Sequence, residues 1–235
     1  MRGLLTFVIL SAALLPAQEA PATPAHLVIT YRCPPPRRAA FRQYMTELGV
    51  QRFDRWKQDG VLKDYRFLFN SFVDVDTWDA MAILTFPNFG AIAKWREIEK
   101  TNPGGLARDA IDIAWPLNTY PVDLVSHEAA ESPGDLSHAV YFITPYDSSS
   151  PGLFADYVKN VIGPQAKAYL RADLLAEYTL LTNRYPGGKR WQGLAILVFK
   201  DLGALSRRDE IKVPTANPPS ANPARESILA ESIGH

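Results

Sequence analysis

The sequence predicts an α+β protein in which two βαββαβ units form one barrel. Three observations support this prediction: an internal repeat, one order of strand and helix patterns in both copies, and alternating side chains along the strands. The repeat is clearest between "WDAMAILTFPNFGAI" (78–92) and "WQGLAILVFKDLGAL" (191–205), which lie 113 residues apart and agree at seven of fifteen positions. Unrelated segments of ordinary composition would agree at about one. The chain therefore contains an internal duplication.

The repeat extends upstream of these two segments. "LKDYRFLFN" (62–70) aligns with "LAEYTLLTN" (175–183) at the same spacing. "HLVITY" from His26 aligns with "HAVYFI" from His138 after a shift of one residue. We therefore assign residues 24–130 to the first repeat, called copy one below, and residues 136–235 to the second, called copy two.

The first twenty residues differ in character from both copies. "MRGLLTFVILSAALLPAQEA" combines one Arg, a short apolar run and small residues, the pattern of a secretory signal peptide. An N-terminal anchor that stays uncleaved is the alternative. No later apolar run is long enough to cross a bilayer. We therefore expect a periplasmic or extracellular protein with no membrane attachment after cleavage.

Overall composition excludes several classes of partner. The 25 basic residues balance the 25 acidic ones, and no block of like charge occurs. Nucleic acids and anionic membranes both require concentrated basic charge, so neither is an expected partner. Cys33 is the only cysteine, so no internal disulfide can form. With 47% hydrophobic residues, an apolar core must hold the fold.

Each copy begins with a strand pattern followed by a helix that starts at proline. The strands are predicted over 26–32 and 138–144, and the helices begin near Pro36 and after Pro151. The pair Gly163-Pro164 is expected to kink or break the second of these helices.

Two further strands and a helix follow in each copy. The strands are joined by a short connection, which in copy two reads "YPGGK" (185–189), a hairpin signal. The next helix begins near Gly90 in copy one and near Gly203 in copy two.

The last element of each copy is the hardest to assign. "PVDLVSHEA" from Pro121 is predicted as the final strand of copy one, after an extra helix within "NPGGLARDAIDIAW". In copy two "ESILAESI" is assigned as a strand, and a helix stays open because local pattern does not decide. It follows a Pro-rich loop over 214–224.

The order βαββαβ defines the ferredoxin-like unit. Its helices cover one face of the sheet, and the other, partly apolar face needs a cover that the second copy provides. The segment "WDAMAILTFPNFGAIAKW" resembles the third strand and second helix of the dimeric α/β-barrel superfamily. That superfamily includes antibiotic-biosynthesis-type monooxygenases, stress-responsive barrel proteins and EthD-like proteins. The resemblance implies an intramolecular dimeric α/β barrel, and fused members include haem proteins similar to chlorite dismutase.

Strand pairing predicts which side chains line the barrel. A two-residue turn at 186–187 or 187–188 pairs odd-numbered with even-numbered residues, and opposed residues share a face. The paired aromatics Tyr65/Tyr178 and Trp78/Trp191 are thereby assigned to the helix-packed core, an assignment that a three-residue turn would reverse. Polar residues on the other face are the predicted ligand-binding set: Arg66, Asn70, Asp79, Glu177, Asn183 and Gln192.

Two interpretations of these polar groups stay open. They can contact a small molecule, or they can satisfy one another, for example Arg32 with Asp79. His26 and His138 are the candidate general bases because imidazole titrates near neutrality. Each stands first in its predicted strand, where an exposed histidine without a role is common.

No metal site and no cofactor are expected. The four histidines and Cys33 lack metal-ligand spacing. Haem ligated by His127 or His138 is the alternative, although neither lies in a recognisable haem-ligand motif.

These residues favour a secreted α/β barrel that binds a small apolar or aromatic molecule. Whether it is an enzyme stays open. The resemblance implies a cofactor-independent oxygenase or a cyclase-like enzyme, and the alternative is a non-catalytic structural or interaction module with a filled barrel. A connected cavity lined by Asn70, Asn183 and Gln192 would favour the first, and its absence would remove it. A monomer is expected because the duplication replaces dimerisation, and larger assemblies stay open.

Overall fold

The computed structural model describes residues 23–147, 151–185, 187, 191–213 and 227–234. The predicted signal peptide and the Pro-rich loop over 214–224 lie outside these described residues. Within them, no helix has both the length and the apolar character required to cross a bilayer.

Copy one follows the predicted order of elements. Its strands are β1 (Ala25–Arg32), β2 (Asp64–Asn70), β3 (Ala80–Phe86) and β4 (Trp115–Ala129), and its helices are α1 (Arg38–Tyr44), α2 (Val50–Gln58), α3 (Ala91–Glu99) and α4 (Arg108–Ile111). Short 3-10 turns occupy Pro35–Arg37 and Pro103–Gly105. The extra helix predicted before the last strand is therefore confirmed as α4.

Copy two has the same order. Its strands are β5 (Val140–Tyr146), β6 (Leu175–Asn183), β7 (Gly193–Phe199) and β8 (Ile228–Gly234), and its helices are α5 (Pro151–Tyr157), α6 (Gly163–Arg171) and α7 (Leu202–Ser206), followed by a 3-10 turn over Arg207–Glu210. The C-terminal segment is a strand, as predicted. The first strand of copy two begins later than predicted, so that His138 lies in the turn before β5.

A π-helical turn interrupts the first helix of each copy at the same place. Met45–Gly49 joins α1 to α2, and Val158–Ile162 joins α5 to α6. The predicted break at Gly163-Pro164 is wrong, because helix α6 begins there without leaving the helical path. The π-helical turn closes with a bond from the Gly163 N–H to the Val158 carbonyl, five residues back. The missing donor of Pro164 therefore falls in the first turn of α6, where proline is tolerated.

The eight strands form a closed barrel in the order β1-β3-β2-β8-β5-β7-β6-β4. Within each copy the strands form a four-stranded sheet, and the copies join through the antiparallel pairs β2–β8 and β4–β6. The last strand of each copy thus pairs with the second strand of the other. Every pairing is antiparallel, so β1 and β5 run in the same direction, and the axis that relates the copies follows the barrel axis.

Strand register corrects the alignment of the first strands. Val28 pairs with Ile83 in copy one, and Ile143 pairs with Ile196 in copy two. Since Ile83 and Ile196 are 113 residues apart, the equivalent of Val28 is Ile143, at a spacing of 115. The predicted alignment of His26 with His138 is therefore wrong, and Tyr141 takes the place of His26. The cause is the connection between the first strand and the first helix, which is two residues shorter in copy two, because the π-helical turns at Met45 and Val158 are again 113 residues apart.

Three clusters of buried side chains form the core. Two of them lie between sheet and helices, one in each copy, and contain Tyr65 and Tyr178 respectively, as predicted. The third fills the barrel and includes Val28, Leu68, Met81, Ile143, Leu181, Leu194, Ile196 and Val198. This third cluster separates the two mouths of the barrel, which differ in shape and charge.

A candidate ligand cavity at one mouth of the barrel

A cavity of about 730 Å³ opens at the mouth where β1 and β5 end and β3 and β7 begin. Its walls contain pairs of equivalent positions from the two copies: Thr30 and Pro145, Trp78 and Trp191, Met81 and Leu194, Tyr120 and Ile228. The cavity therefore lies on the pseudo-twofold axis. We call this end the tryptophan mouth.

Trp78 and Trp191 line the cavity instead of the helix-packed core, so their predicted assignment is wrong. They are only 9% and 7% exposed, and the ring of Tyr120 lies 4.6 Å from that of Trp191, tilted by 38°. Each tryptophan is separated from its strand by a bend at the next residue, Asp79 or Gln192. The alternation of faces holds only within an extended strand, so it does not extend across this bend.

The Asp79 side chain is buried, and its hydrogen-bond partners lie outside the large cavity. Its carboxylate accepts a hydrogen bond from Arg38 Nε at 2.6 Å and one from the Cys33 backbone N–H at 2.9 Å. The predicted partner Arg32 is present as well, with its Nε 3.9 Å from the carboxylate. The predicted position in the barrel interior is wrong for Asp79, which with Arg38 and Arg42 lines a separate pocket of about 180 Å³.

Asn70 and Asn183 hold the loops that carry the two tryptophans. Asn70 accepts from the Phe72 N–H at 2.9 Å and donates to the Trp78 carbonyl at 2.9 Å. Asn183 accepts from the Tyr185 N–H at 3.1 Å and donates to the Trp191 carbonyl at 3.4 Å. These amides position the tryptophans and do not line the cavity. The expected lining by both asparagines and Gln192 is therefore wrong.

Gln192 is 6% exposed, and its Nε2 has no hydrogen-bond partner among the described residues. It lies at the end of the β6–β7 connection, which spans residues 184–191 because the Asn183 N–H bonds to the Gln192 carbonyl. Of the positions proposed for the two-residue turn only Gly187 is described, so the turn itself lies outside the described residues. Thr182 pairs with Gly193 and Leu181 with Leu194, so the predicted pairing of odd with even residues is confirmed.

The opposite mouth is narrower and charged. A pocket of about 180 Å³ is lined there by Arg66, Thr85, Thr179 and the histidines His26 and His127. The Arg66 guanidinium pairs with the Glu177 carboxylate across the barrel and lies 5.9 Å from the centre of the Tyr141 ring. Burial alone would lower the pKa of Arg66, but the hydrogen bond and charge of Glu177 outweigh it and raise the pKa. We call this end the ion-pair mouth.

Arg66 and Glu177 thus point into the barrel as predicted, and they satisfy each other. Their side chains are 25% and 13% exposed. A buried charge requires such a partner, because desolvation without one is costly. This arrangement corresponds to the self-satisfied interpretation of the polar set.

The two candidate bases lie in different surroundings. His26 Nδ1 is 3.2 Å from Thr85 Oγ1 at the ion-pair mouth. Burial lowers the pKa of His26, the nearby Asp123 carboxylate opposes this, and Lys63 adds to it. His138 is exposed in the turn before β5. Neither histidine lines the large cavity.

The residues of the tryptophan mouth do not fit haem. Among the described residues its lining contains neither histidine nor cysteine, and no described Arg or Lys faces it to pair with carboxylates of the porphyrin. Met81 and Tyr120 are present, but a methionine ligand is ordinarily combined with histidine, and a tyrosine ligand carries negative charge into a cavity with Asp74 and Asp76 on its wall.

At the other mouth, the Nδ1 atom of His127 contacts the Tyr178 carbonyl and Thr179 Oγ1, both at 3.1 Å. The pocket of about 180 Å³ beside it is smaller than the usual range for cofactor sites. Among the residues that the structure describes, no group of three or more His, Cys, Asp or Glu side chains is arranged to hold a metal ion.

Comparison with known proteins identifies the fold. The sequence matches no known family model and no curated protein. A proposed monooxygenase from Fusobacterium nucleatum has a similar structure, with a TM-score of 0.57, 15% identity, and coverage of 90% of this chain and 93% of that one. A proposed monooxygenase from Lactobacillus acidophilus has a TM-score of 0.55 and 11% identity, with coverage of 90% of this chain and 94% of that one. A chlorite dismutase variant from Candidatus Nitrospira defluvii has a TM-score of 0.53 and 8% identity, with coverage of 89% of this chain and 91% of that one.

At these identities the likeness shows the fold alone. The chain has the α+β fold of a dimeric α/β barrel, with both ferredoxin-like units in one polypeptide, as the sequence predicts.

Proposed function

We propose that the protein binds a small, predominantly apolar aromatic molecule in the cavity between Trp78 and Trp191. The observation that carries this proposal is an open cavity of about 730 Å³ whose walls present two tryptophans and a tyrosine. Sites for small molecules typically have volumes of about 300–1,000 Å³ and mostly apolar walls with a few polar groups. Aromatic walls favour a flat aromatic ligand, because stacked or tilted ring pairs add to the hydrophobic contribution.

The alternative function, a structural or interaction module, requires a filled barrel. The middle of the barrel is filled by the interior cluster, and the ion-pair mouth is closed by Arg66 and Glu177. The tryptophan mouth retains its cavity, which a purely structural role does not need. Ligand binding is therefore the better-supported function.

Binding can be tested by calorimetric titration of the mature chain with naphthalene, comparing the wild type with Trp191→Leu. We expect the substitution to weaken binding about fivefold, because an aromatic contact contributes about 1 kcal/mol beyond its buried area. Trp56→Leu is the matched control, since Trp56 packs on the helix side of copy one and does not line the cavity.

Equal losses in both variants, or no binding to the wild type, would contradict the proposal. Native mass spectrometry of the protein purified from its own host would then identify the natural ligand, if one is retained.

An oxygenase is the second candidate. The two structural neighbours described as proposed monooxygenases favour it, and the aromatic cavity suits an electron-rich substrate. We expect dihydroxynaphthalene to drive oxygen uptake at an oxygen electrode without added cofactor, and Trp191→Leu to abolish it. Absence of uptake by a wild-type protein that binds the compound would leave binding as the function.

The proposal includes secretion and a monomeric state. Secretion rests on the pattern of residues 1–20, and cell fractionation with N-terminal sequencing tests it. The monomer rests on the closed barrel, in which each strand pairs with two neighbours of the same chain. Light scattering after size-exclusion chromatography tests that state.

A further inference from the structure

The two walls of the tryptophan mouth are equivalent in the repeat but differ in chemistry. Thr30 of copy one faces Pro145 of copy two, and Tyr120 faces Ile228. The tryptophans are identical in both copies. Among the described residues, hydrogen-bonding groups therefore concentrate on the wall of copy one, whereas those of copy two, apart from its tryptophan, supply hydrocarbon.

The polar groups on the wall of copy one are neighbours. Thr30 is the cross-strand partner of Asn118, and Val28 is the partner of Tyr120, so Thr30, Asn118 and Tyr120 share one face of the paired strands β1 and β4. Thr30 is 4% exposed, and its hydroxyl has no hydrogen-bond partner in the described part of the chain. A buried hydroxyl without a partner lowers stability, so a group supplied by a ligand would be stabilising here.

The charge of the cavity limits which polar group can enter. Asp74 and Asp76 line it, and among the described residues no Arg, Lys or His does so. Hydrogen bonds from the backbone of Thr77 and Asp76 lower the pKa of Asp74, which is therefore a carboxylate at neutral pH. An anionic ligand would meet like charge at the entrance, and no cation among the described lining residues would pair with it.

We propose that the ligand carries a neutral hydroxyl or carbonyl group at one end, which hydrogen-bonds to the wall formed by Thr30, Asn118 and Tyr120. Its hydrocarbon remainder packs against Pro145 and Ile228. This inference rests on the proposed function and adds a ligand class and a single orientation, which the near-symmetry of the barrel would not otherwise impose.

Three probes with one ring system test the proposal: naphthalene, 2-naphthol and 2-naphthoate, titrated calorimetrically into the mature chain at neutral pH. We expect 2-naphthol to bind about fivefold more tightly than naphthalene, the effect of one ordinary hydrogen bond, and 2-naphthoate to bind more weakly than both. Thr30→Val, which preserves side-chain shape, should remove most of the advantage of 2-naphthol and leave naphthalene within about twofold. Tyr120→Phe provides a second variant with the same expectation.

The control is Thr144→Val, which removes a buried strand hydroxyl that bonds to Ser227 Oγ and does not line the cavity. It should leave all three affinities unchanged. If naphthalene and 2-naphthol bind equally, or if neither Thr30→Val nor Tyr120→Phe reduces the advantage of 2-naphthol, the inference is overturned while the proposed function stands. If none of the probes binds, the proposed function fails and the inference with it.

Discussion

The two mouths of the barrel treat their polar groups in opposite ways. At the ion-pair mouth, Arg66 and Glu177 meet across the barrel and neutralise each other, leaving a pocket of about 180 Å³. At the tryptophan mouth, the Thr30 hydroxyl has no partner among the described residues, and a cavity of about 730 Å³ is retained. The polar groups at the ion-pair mouth are therefore satisfied within the protein, whereas the tryptophan mouth has a cavity and a hydroxyl that a ligand could contact.

This difference explains why polar residues alone are a poor guide to the site. Polarity predicts Arg66, Asn70, Asp79, Glu177 and Asn183 as ligand contacts, and each of them is bonded within the protein. The groups that line the large cavity are mostly aromatic and apolar, with a few neutral polar groups and the side chains of Asp74 and Asp76.

The largest effect is expected from breaking the ion pair. Glu177→Ala should lower the free energy of unfolding by about 3 kcal/mol, because it leaves the Arg66 charge buried without a partner. Chemical denaturation measures this change. The double variant Arg66→Met/Glu177→Leu should recover most of the loss, since an apolar pair can replace a buried ion pair.

The control for this prediction is an exposed ion pair. Arg42 Nη2 lies 2.5 Å from Glu231 Oε2, and the two side chains are 45% and 57% exposed. Glu231→Ala should cost less than about 1 kcal/mol, as exposed pairs do. An equal cost for the two substitutions would show that the ion-pair mouth is no more protected from water than the surface.

A smaller effect, different in sign for the two halves, is expected from removing buried hydroxyls. Thr144→Val should destabilise the protein by about 1 kcal/mol, because Thr144 Oγ1 bonds to Ser227 Oγ at 2.9 Å. Thr30→Val removes a hydroxyl that has no partner among the described residues, and should leave the unfolding free energy unchanged or higher by up to about 1 kcal/mol. Thermal denaturation of the ligand-free chain compares them, and a similar loss in both would contradict an unpaired Thr30.

The smallest effect concerns pH at the ion-pair mouth. Burial lowers the pKa of His26 below its usual 6.5, so between that value and the lowered one the unfolded chain binds more protons than the folded chain. The contribution of His26 to stability is therefore complete above pH 6.5 and is lost as the pH falls through the lowered pKa. His26→Gln should reduce the loss of stability on acidification from about pH 7.5 to about pH 5.5, measured by urea denaturation.

His138→Gln serves as the control, because His138 is exposed in a turn. It should leave the dependence on pH as in the wild type. A response equal to that of His26→Gln would show that the effect has no connection with burial at the ion-pair mouth.

The repeat and the alternation of side chains are sufficient to predict the fold, the two sheets and the faces of residues within regular strands, such as Tyr65, Tyr178 and Arg66. Prediction fails where the strand geometry ends. Trp78 and Trp191 stand before a bend, where Asn70 and Asn183 donate hydrogen bonds to their carbonyls, and both rings lie in the barrel. Their identity at equivalent positions is the available signal, and alternation alone leads to the opposite face.

Contacts between residues far apart in the chain are also not predicted by the local sequence pattern. The Asp79 carboxylate meets Arg38 because the start of helix α1 lies against the bend before β3, and no local pattern encodes that distance. The alignment of His26 with His138 fails for a related reason: two identical residues in short strands carry less information than the register of the whole sheet.

The position of the cavity on the pseudo-twofold axis has an evolutionary consequence. In an ancestor assembled from two identical subunits, any mutation in the gene would have altered both walls at once, so a gain on one side would have been imposed on the other. Fusion of the duplicated genes removed that constraint. Thr30 and Pro145, which occupy equivalent positions of the repeat, could then be selected independently, so that the two walls of the cavity could acquire different chemistry.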